Sequence, residues 1–253
     1  MKLSLAAEIV WPRRVRTPAD AIRFLDAVGF CVLFPLKNVP LPSMYYAAAH
    51  RDIHLGPGWD KFCEMIWGWK DDLPLRRRAY YSKCLRGRGM FISLKLLPDF
   101  LASRASATSP GDYERFYADG RISHDALVIW KALEEHGPLA TLELRHACKM
   151  ESKSGNARFK RAMLELQCHL VIVHFGAEQE TAAWPSSRFE LTCRAFPKQA
   201  AAARSLSPGA ARAAIARKFQ KSRSAAPPAV LARLFGWSKS EAIAAVSGRA
   251  SER

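Results

Sequence analysis

The chain has 253 residues, 49% of them hydrophobic, which suffices for one large core or two to three small ones and excludes a disordered protein. Thirty-nine Lys and Arg against 23 Asp and Glu leave a net charge of +16, pointing to a polyanionic partner, nucleic acid ahead of a membrane surface. Six cysteines without a CxxC pair argue against zinc and disulfide frameworks and fit a reducing compartment. Glu8 interrupts the apolar run of "MKLSLAAEIVWPRR" and no small-residue cleavage site follows, so a signal peptide is not expected; no run approaches 18 apolar residues. The expectation is a cytoplasmic, nucleoid-associated protein with no cofactor, no metal and no membrane partner.

Along the chain, "RTPADAIRFLDAVGF" predicts a helix capped by Thr17, with Pro18 first, Asp20 in the first turn, Gly29 at the end and Ile22, Leu25 and Val28 buried. The apolar "GFCVLFPL", residues 29–36, is followed by a proline-punctuated connector and a helix after Ser43. Helices are predicted around 59–68, 74–86 and 94–102, and "SATSPGD" reads as a linker. This gives an N-terminal helical, winged-helix-like domain over 1–118.

From Ser123 a helix carries Leu127, Trp130 and Leu133 and ends at Gly137-Pro138. A short helix from Thr141 and the polar turn "ESKSGN" precede "NARFKRAMLELQCHL", capped by Ser154 or Asn156, with Phe159, Ala162, Met163, Leu166 and Leu170 on its core face. "VIVHFG" and "RFELTCRAF" form a hairpin whose tip, about 176–187, is a wing. Three helices and a two-stranded ribbon predict a winged helix over 119–197, whose third helix enters a major groove. Residues 198–253 hold 11 Lys and Arg against Glu241 and Glu252. Three short capped helices there, with Leu231, Leu234, Phe235, Trp237 and Val246 as core, predict a degenerate helix-turn-helix domain, a disordered basic arm being the alternative. The fold class is therefore mainly α with small β-hairpin wings, in tandem winged-helix units.

Candidate nucleic-acid contacts on the third helix are Ser154, Asn156, Arg158, Lys160 and Arg161, joined by Arg188 on the returning strand. In "RRRAYYSKCLRGRGMF", Arg76, Arg77, Lys83, Arg86 and Arg88 could neutralise phosphates while Tyr80 and Tyr81 stack on bases, although aromatic residues more often belong to a core. Acids in the first domain are few. Asp26, Asp71 and Asp72 are the catalytic candidates, with a helix cap and surface charge as the ordinary reading of the last two. His50 and His54 bracket Asp52 without a third metal ligand, which fits a polar loop.

"ALEEHGPLATLELRHACKM…ARFKRAMLELQCHLVIVHFG" followed by "LFGWSKSEAIAAVSG" resembles the winged-helix proteins grouped around the bacterial AlkZ/YcaQ-type DNA glycosylases, over about residues 17–248. The resemblance implies consecutive winged-helix units. It also implies a motif of Gln, an apolar residue, then Gln or Asp, which positions water and stabilises the sugar cation as a base leaves. In one register Val32 and Phe34 take the polar positions; shifted by one, Leu33 and Pro35 do, and neither pair can do that chemistry. The expected function is duplex DNA binding without the dyad. The alternatives are a DNA N-glycosylase that acts on alkylated or crosslinked bases through Asp26, Asp71 or Asp72, and a protein-interaction scaffold.

Overall fold

The computed structural model describes residues 13–37, 39, 41–50, 58–179, 185–222 and 227–248. The protein is mainly helical, with two small antiparallel three-stranded sheets. In the first unit, α1 (Pro18–Val28), β1 (Phe30–Val32), α2 (Met44–Ala49), α3 (Lys61–Leu75), β2 (Tyr80–Leu85) and β3 (Arg88–Ile92) build a sheet ordered β1-β3-β2. Helices α4 (Leu97–Ser103) and α5 (Tyr113–Ala118), with a 3-10 turn at Pro110–Asp112, lead to the second unit. There α6 (His124–His136), β4 (Leu139–Ala140), α7 (Thr141–Ala147), α8 (Lys153–Cys168), β5 (Ile172–Glu178) and β6 (Ser186–Leu191) build a sheet ordered β4-β6-β5. Both units share one element order, helix–strand–helix–helix–strand–strand, and one strand order, with the third strand central. Five helices complete the described chain: α9 (Thr192–Ala195), α10 (Pro197–Ala203), α11 (Pro208–Ser222), α12 (Pro228–Phe235) and α13 (Lys239–Ser247).

The first helix forms as its sequence dictates. The Thr17 hydroxyl accepts from the Asp20 N–H at 3.2 Å and the Asp20 carboxylate accepts from the Thr17 N–H at 3.0 Å, a reciprocal cap. Gly29 then turns the chain at φ 86°, where an added Cβ would lie 2.5 Å from Lys218 Cγ. The core side of α1 is Ala21, Phe24, Leu25 and Val28, with Ile22 only partly buried.

β1 explains the apolar run. Its side chains and that of Leu33 just after it enter two different cores in alternation: Phe30 and Val32 join α4, α11 and α12, whereas Cys31 and Leu33 join α1, α2 and α3. A strand covered on both faces reads as continuous apolar sequence. Phe30 stacks on Phe219 with ring centroids 6.2 Å apart and meets Phe100 and Phe235 edge-on at 5.3 and 5.5 Å, so the basic C-terminal helices complete the first unit's core. Leu231, Leu234, Phe235 and Trp237 are buried there and Val246 packs against them.

Two expected features differ. The helix predicted over 74–86 is instead the end of α3 and the strand β2: Pro74 falls in the last turn of α3, Arg77 turns the chain at φ 52°, and every residue of "YYSKCL" but Lys83 is buried. "RGRG" is the turn joining β2 to β3, with Arg86 and Gly87 at φ 50° and 85°. The N-cap of α8 is Ser152, whose hydroxyl accepts from the Gly155 N–H at 3.0 Å, so Ser154 and Asn156 lie inside the helix. The core face of α8 has Phe159, Ala162, Met163 and Leu166 buried as its spacing predicts, whereas Leu170, expected on the same face, lies beyond the helix end at φ 58° and packs in the other core.

Replacing Val32, 1% exposed, by Gln forces an amide into this doubly covered strand. The expected cost is about 1–3 kcal/mol, seen as a lower thermal midpoint; an unchanged midpoint would mean that this face of β1 is open.

Candidate active-site cavity and nucleic-acid interface

The two units meet where α3 lies against β5. Cys63, Ile66, Trp69, Lys70 and Leu73 form the buried stripe of α3, which places a lysine, 6% exposed, among apolar residues. Its ammonium is not stranded. Lys70 Nζ donates to both Asp71 carboxylate oxygens at 2.7 and 2.9 Å and lies 4.4 Å from the centre of the Trp67 ring. From β5, His174, 5% exposed, closes on the same carboxylate through Nε2, which must carry the proton because an ionised carboxylate only accepts.

Burial pushes the pKa of His174 down, so the imidazole is neutral. For Asp71 burial acts to raise the pKa, but the hydrogen bonds from His174 and Lys70 outweigh it and the carboxyl stays below its ordinary value. The result is an anion pinned by a neutral histidine and a lysine. It lines a cavity of about 460 Å³ between α3, β2, α8 and the β5–β6 hairpin. Trp67, Tyr81 and Phe189 give this cavity aromatic walls, and Glu64 and Lys83 also line it. Gln167, another lining residue, is already spent: its amide accepts from the Lys83 N–H at 3.0 Å and donates to the Met163 carbonyl at 3.1 Å.

An aromatic series runs outward from here. Trp67 (39% exposed) meets Trp59 (56% exposed) at 5.7 Å, and Trp59 meets Phe34 at 5.8 Å. Glu64 orients Trp59 by accepting its indole N–H at 2.8 Å. Phe34, in one of the positions where one register of the resemblance places a polar catalytic group, thus joins a line of rings leading to the cavity and continues it inward to Tyr45 at 6.2 Å.

The other residues singled out in the sequence are dispersed. Asp26 is a fastener: it accepts from Ser93 Oγ and pairs with Lys95 at 2.6 Å, while its backbone carbonyl accepts from Lys218 Nζ at 2.9 Å. Asp72 is exposed and 3.8 Å from Arg76. Tyr80 belongs to the core and presents no ring to a ligand; it is fully buried and its hydroxyl donates to the Ile172 carbonyl at 3.0 Å, tying the two units together. Tyr81 is 6% exposed, on the cavity wall. Arg77 donates to the Ala195 carbonyl at 3.0 Å. Arg86 and Arg88 line a second cavity, of about 400 Å³, with Lys37 and Arg233.

On α8, Ser154, Arg158, Lys160 and Arg161 are exposed and Asn156 is half-buried. Arg158 is engaged with Asp125 through two hydrogen bonds. Arg188 is half-buried, 3.3 Å from Glu178 and bonded to the Pro138 carbonyl at 3.3 Å. Thr141 begins α7, but its hydroxyl donates to the Ser187 carbonyl at 2.8 Å. Asp52, His54 and residues 180–184 of the wing tip lie outside the described residues; His50 ends α2 at φ 55°.

Lys70, His174, Trp59 and Trp67 were not singled out by sequence reasoning. For Trp67 and Lys70 the local signal is "WGWK", residues 67–70 immediately before Asp71; Trp59 and His174 lie outside it.

Residues 15–236 match the family described as AlkZ related. The chain belongs to the AlkZ-related family. Membership associates it with DNA repair and a DNA-related partner. No curated protein matches the chain and no solved structure does. Among the described residues, no helix is long and apolar enough to cross a membrane. The family match covers both units and reaches α12, so the cavity between the units lies wholly within it.

The pH dependence of stability follows from the two shifts. The unfolded chain protonates its histidine near 6.5, whereas folded His174 does so only at lower pH, so its contribution is present above 6.5 and is lost as pH falls below it. Asp71 acts in a lower window: its contribution is present above 3.8 and is lost as pH falls through its depressed folded value. His174→Gln is therefore expected to flatten the fall of the thermal midpoint below pH 6.5. An unchanged curve would contradict a neutral His174 in the folded protein.

Proposed function

We propose that this AlkZ-related protein binds duplex DNA through winged-helix units and does so without the Gln-based dyad of the glycosylases it resembles. The observation that carries this reading is β1 itself. Val32 and Leu33 are 1% and 5% exposed inside two cores, and Phe34 and Pro35 are apolar, so neither register leaves a group able to hold water or stabilise a cation. The shared element order of the two units is that of a winged helix, with α8 as a recognition helix and the β5–β6 hairpin as a wing. The Arg86–Gly87–Arg88 turn, between β2 and β3, occupies the corresponding wing position of the first unit.

A second reading, a DNA N-glycosylase, is favoured by one observation: Asp71 is an ionised carboxylate in an aromatic cavity, the setting in which a carboxylate can stabilise a developing cation or orient water. The reading needs no residue of β1.

The two are separated by titrating a duplex across salt concentrations beside a base-release assay on alkylated and crosslinked duplexes. Binding without chemistry predicts log K falling with log salt by about 0.9 per phosphate neutralised, and no base release. A flat salt response would overturn duplex binding, and release at catalytic rates would establish the enzyme. Within α8, Lys160→Ala and Arg161→Ala are each expected to weaken binding to all sequences alike and reduce the salt slope by about 1. Arg158→Ala should have the smaller effect, because its guanidinium is already committed to Asp125.

A further inference from the structure

We propose that the cavity between α3 and the β5–β6 hairpin receives one unstacked nucleobase of bound DNA, held by aromatic contact with Trp67 and Tyr81 and by an N–H donated to Asp71. This rests on the DNA-binding reading and adds a site to it.

The space and its walls suit a flat ring. The cavity's volume of about 460 Å³ falls in the range of small-ligand sites, and Trp67 presents an indole at the mouth that is 39% exposed. Large aromatic side chains left in solvent beside a cavity are the means by which proteins hold an exposed base without regard to its sequence. Trp59, 5.7 Å from Trp67 and steadied by Glu64, extends that surface outward.

The lining offers acceptors to a base edge. The two acids of this cavity, Asp71 and Glu64, are matched in number by Lys70 and Lys83, and Lys70 is already committed to Asp71. The amino and imino N–H groups of a base edge meet the carboxylate of Asp71 as an acceptor. Asp71 is built for that task. Its carboxylate is fixed by Lys70 and His174, side chains 6% and 5% exposed, and their three donated hydrogen bonds leave acceptor capacity on a carboxylate that has about four lone-pair sites. Lys83, exposed at the rim, is placed for the phosphate next to the extruded base.

The test uses the full chain and three labelled duplexes of one sequence: fully paired, with one guanine facing an abasic site, and with abasic sites on both strands at that position. The last is equally deformable but has no base to offer. Wild type is expected to bind the unpaired-guanine duplex about tenfold more tightly than the other two. Trp67→Ala and Asp71→Asn should each remove that preference while leaving affinity for the paired duplex unchanged, and Trp67→Phe should restore most of it. If Asp71→Asn does not fold, the Trp67 pair of variants decides alone, since that side chain lies at the surface. Equal binding of all three duplexes by wild type, a preference shared by the doubly abasic duplex, or a preference that survives Trp67→Ala would overturn the base site while leaving duplex binding intact. Failure to bind any of the three would overturn the DNA-binding reading with it.

Discussion

Coverage of the first sheet on both faces is the constraint on which the rest depends. β1 lies at one edge of a three-stranded sheet, with α1, α2 and α3 on one side and α4, α11 and α12 on the other. Each residue of β1 therefore has a core to enter whichever way it points, and a polar group there would need a buried partner. The C-terminal helices follow from the same demand: without Ile215, Phe219, Leu231 and Phe235 the second face, and Phe30 with it, would face water.

Where the two units abut, the chain accepts a costly arrangement. Burying a lysine and a carboxylate is favourable only when geometry and additional hydrogen bonds offset their lost hydration, and such pairs often stabilise no more than apolar residues of the same size would. The Lys70–Asp71–His174 group meets the geometric condition, and Tyr81 and Phe189 pack on the imidazole at 5.4 and 5.6 Å. Stability alone is a poor reason to keep it beside a cavity with exposed tryptophans at the mouth. Perturbed ionisable groups in a cleft are more often found where a ligand sits.

Much of the second unit was legible in the sequence because its signals are local. Ser123 caps α6, Gly137 follows its end, and the 3.6-residue spacing of Phe159, Ala162, Met163 and Leu166 identifies the core side of α8. The first unit was harder. "YYSKCL" shows no clean alternation of polarity because β2, like β1, has buried residues on both faces with only Lys83 exposed, so its period of two is invisible and a helix is expected there instead. The site was legible only in part. Asp71 is one of three candidate acids the sequence offers, with a helix cap or surface charge as its ordinary reading; its partner His174 is 103 residues away, and nothing local distinguishes that histidine from any other inward residue of a strand. Tyr80 shows the converse: a basic neighbourhood suggested a base-stacking ring, whereas its hydroxyl spans the two units from inside the core.

We propose that DNA binds at the outer face of α8 and the Arg86–Arg88 turn while β1 remains a core strand. Amide hydrogen exchange with and without a duplex tests it directly. Amides of β1 and β3 are expected to be among the slowest in both states, and DNA is expected to add protection over residues 153–161 and 86–88. Rapid exchange across residues 30–34 in the free protein, or DNA-dependent protection confined to that stretch with α8 unchanged, would contradict it.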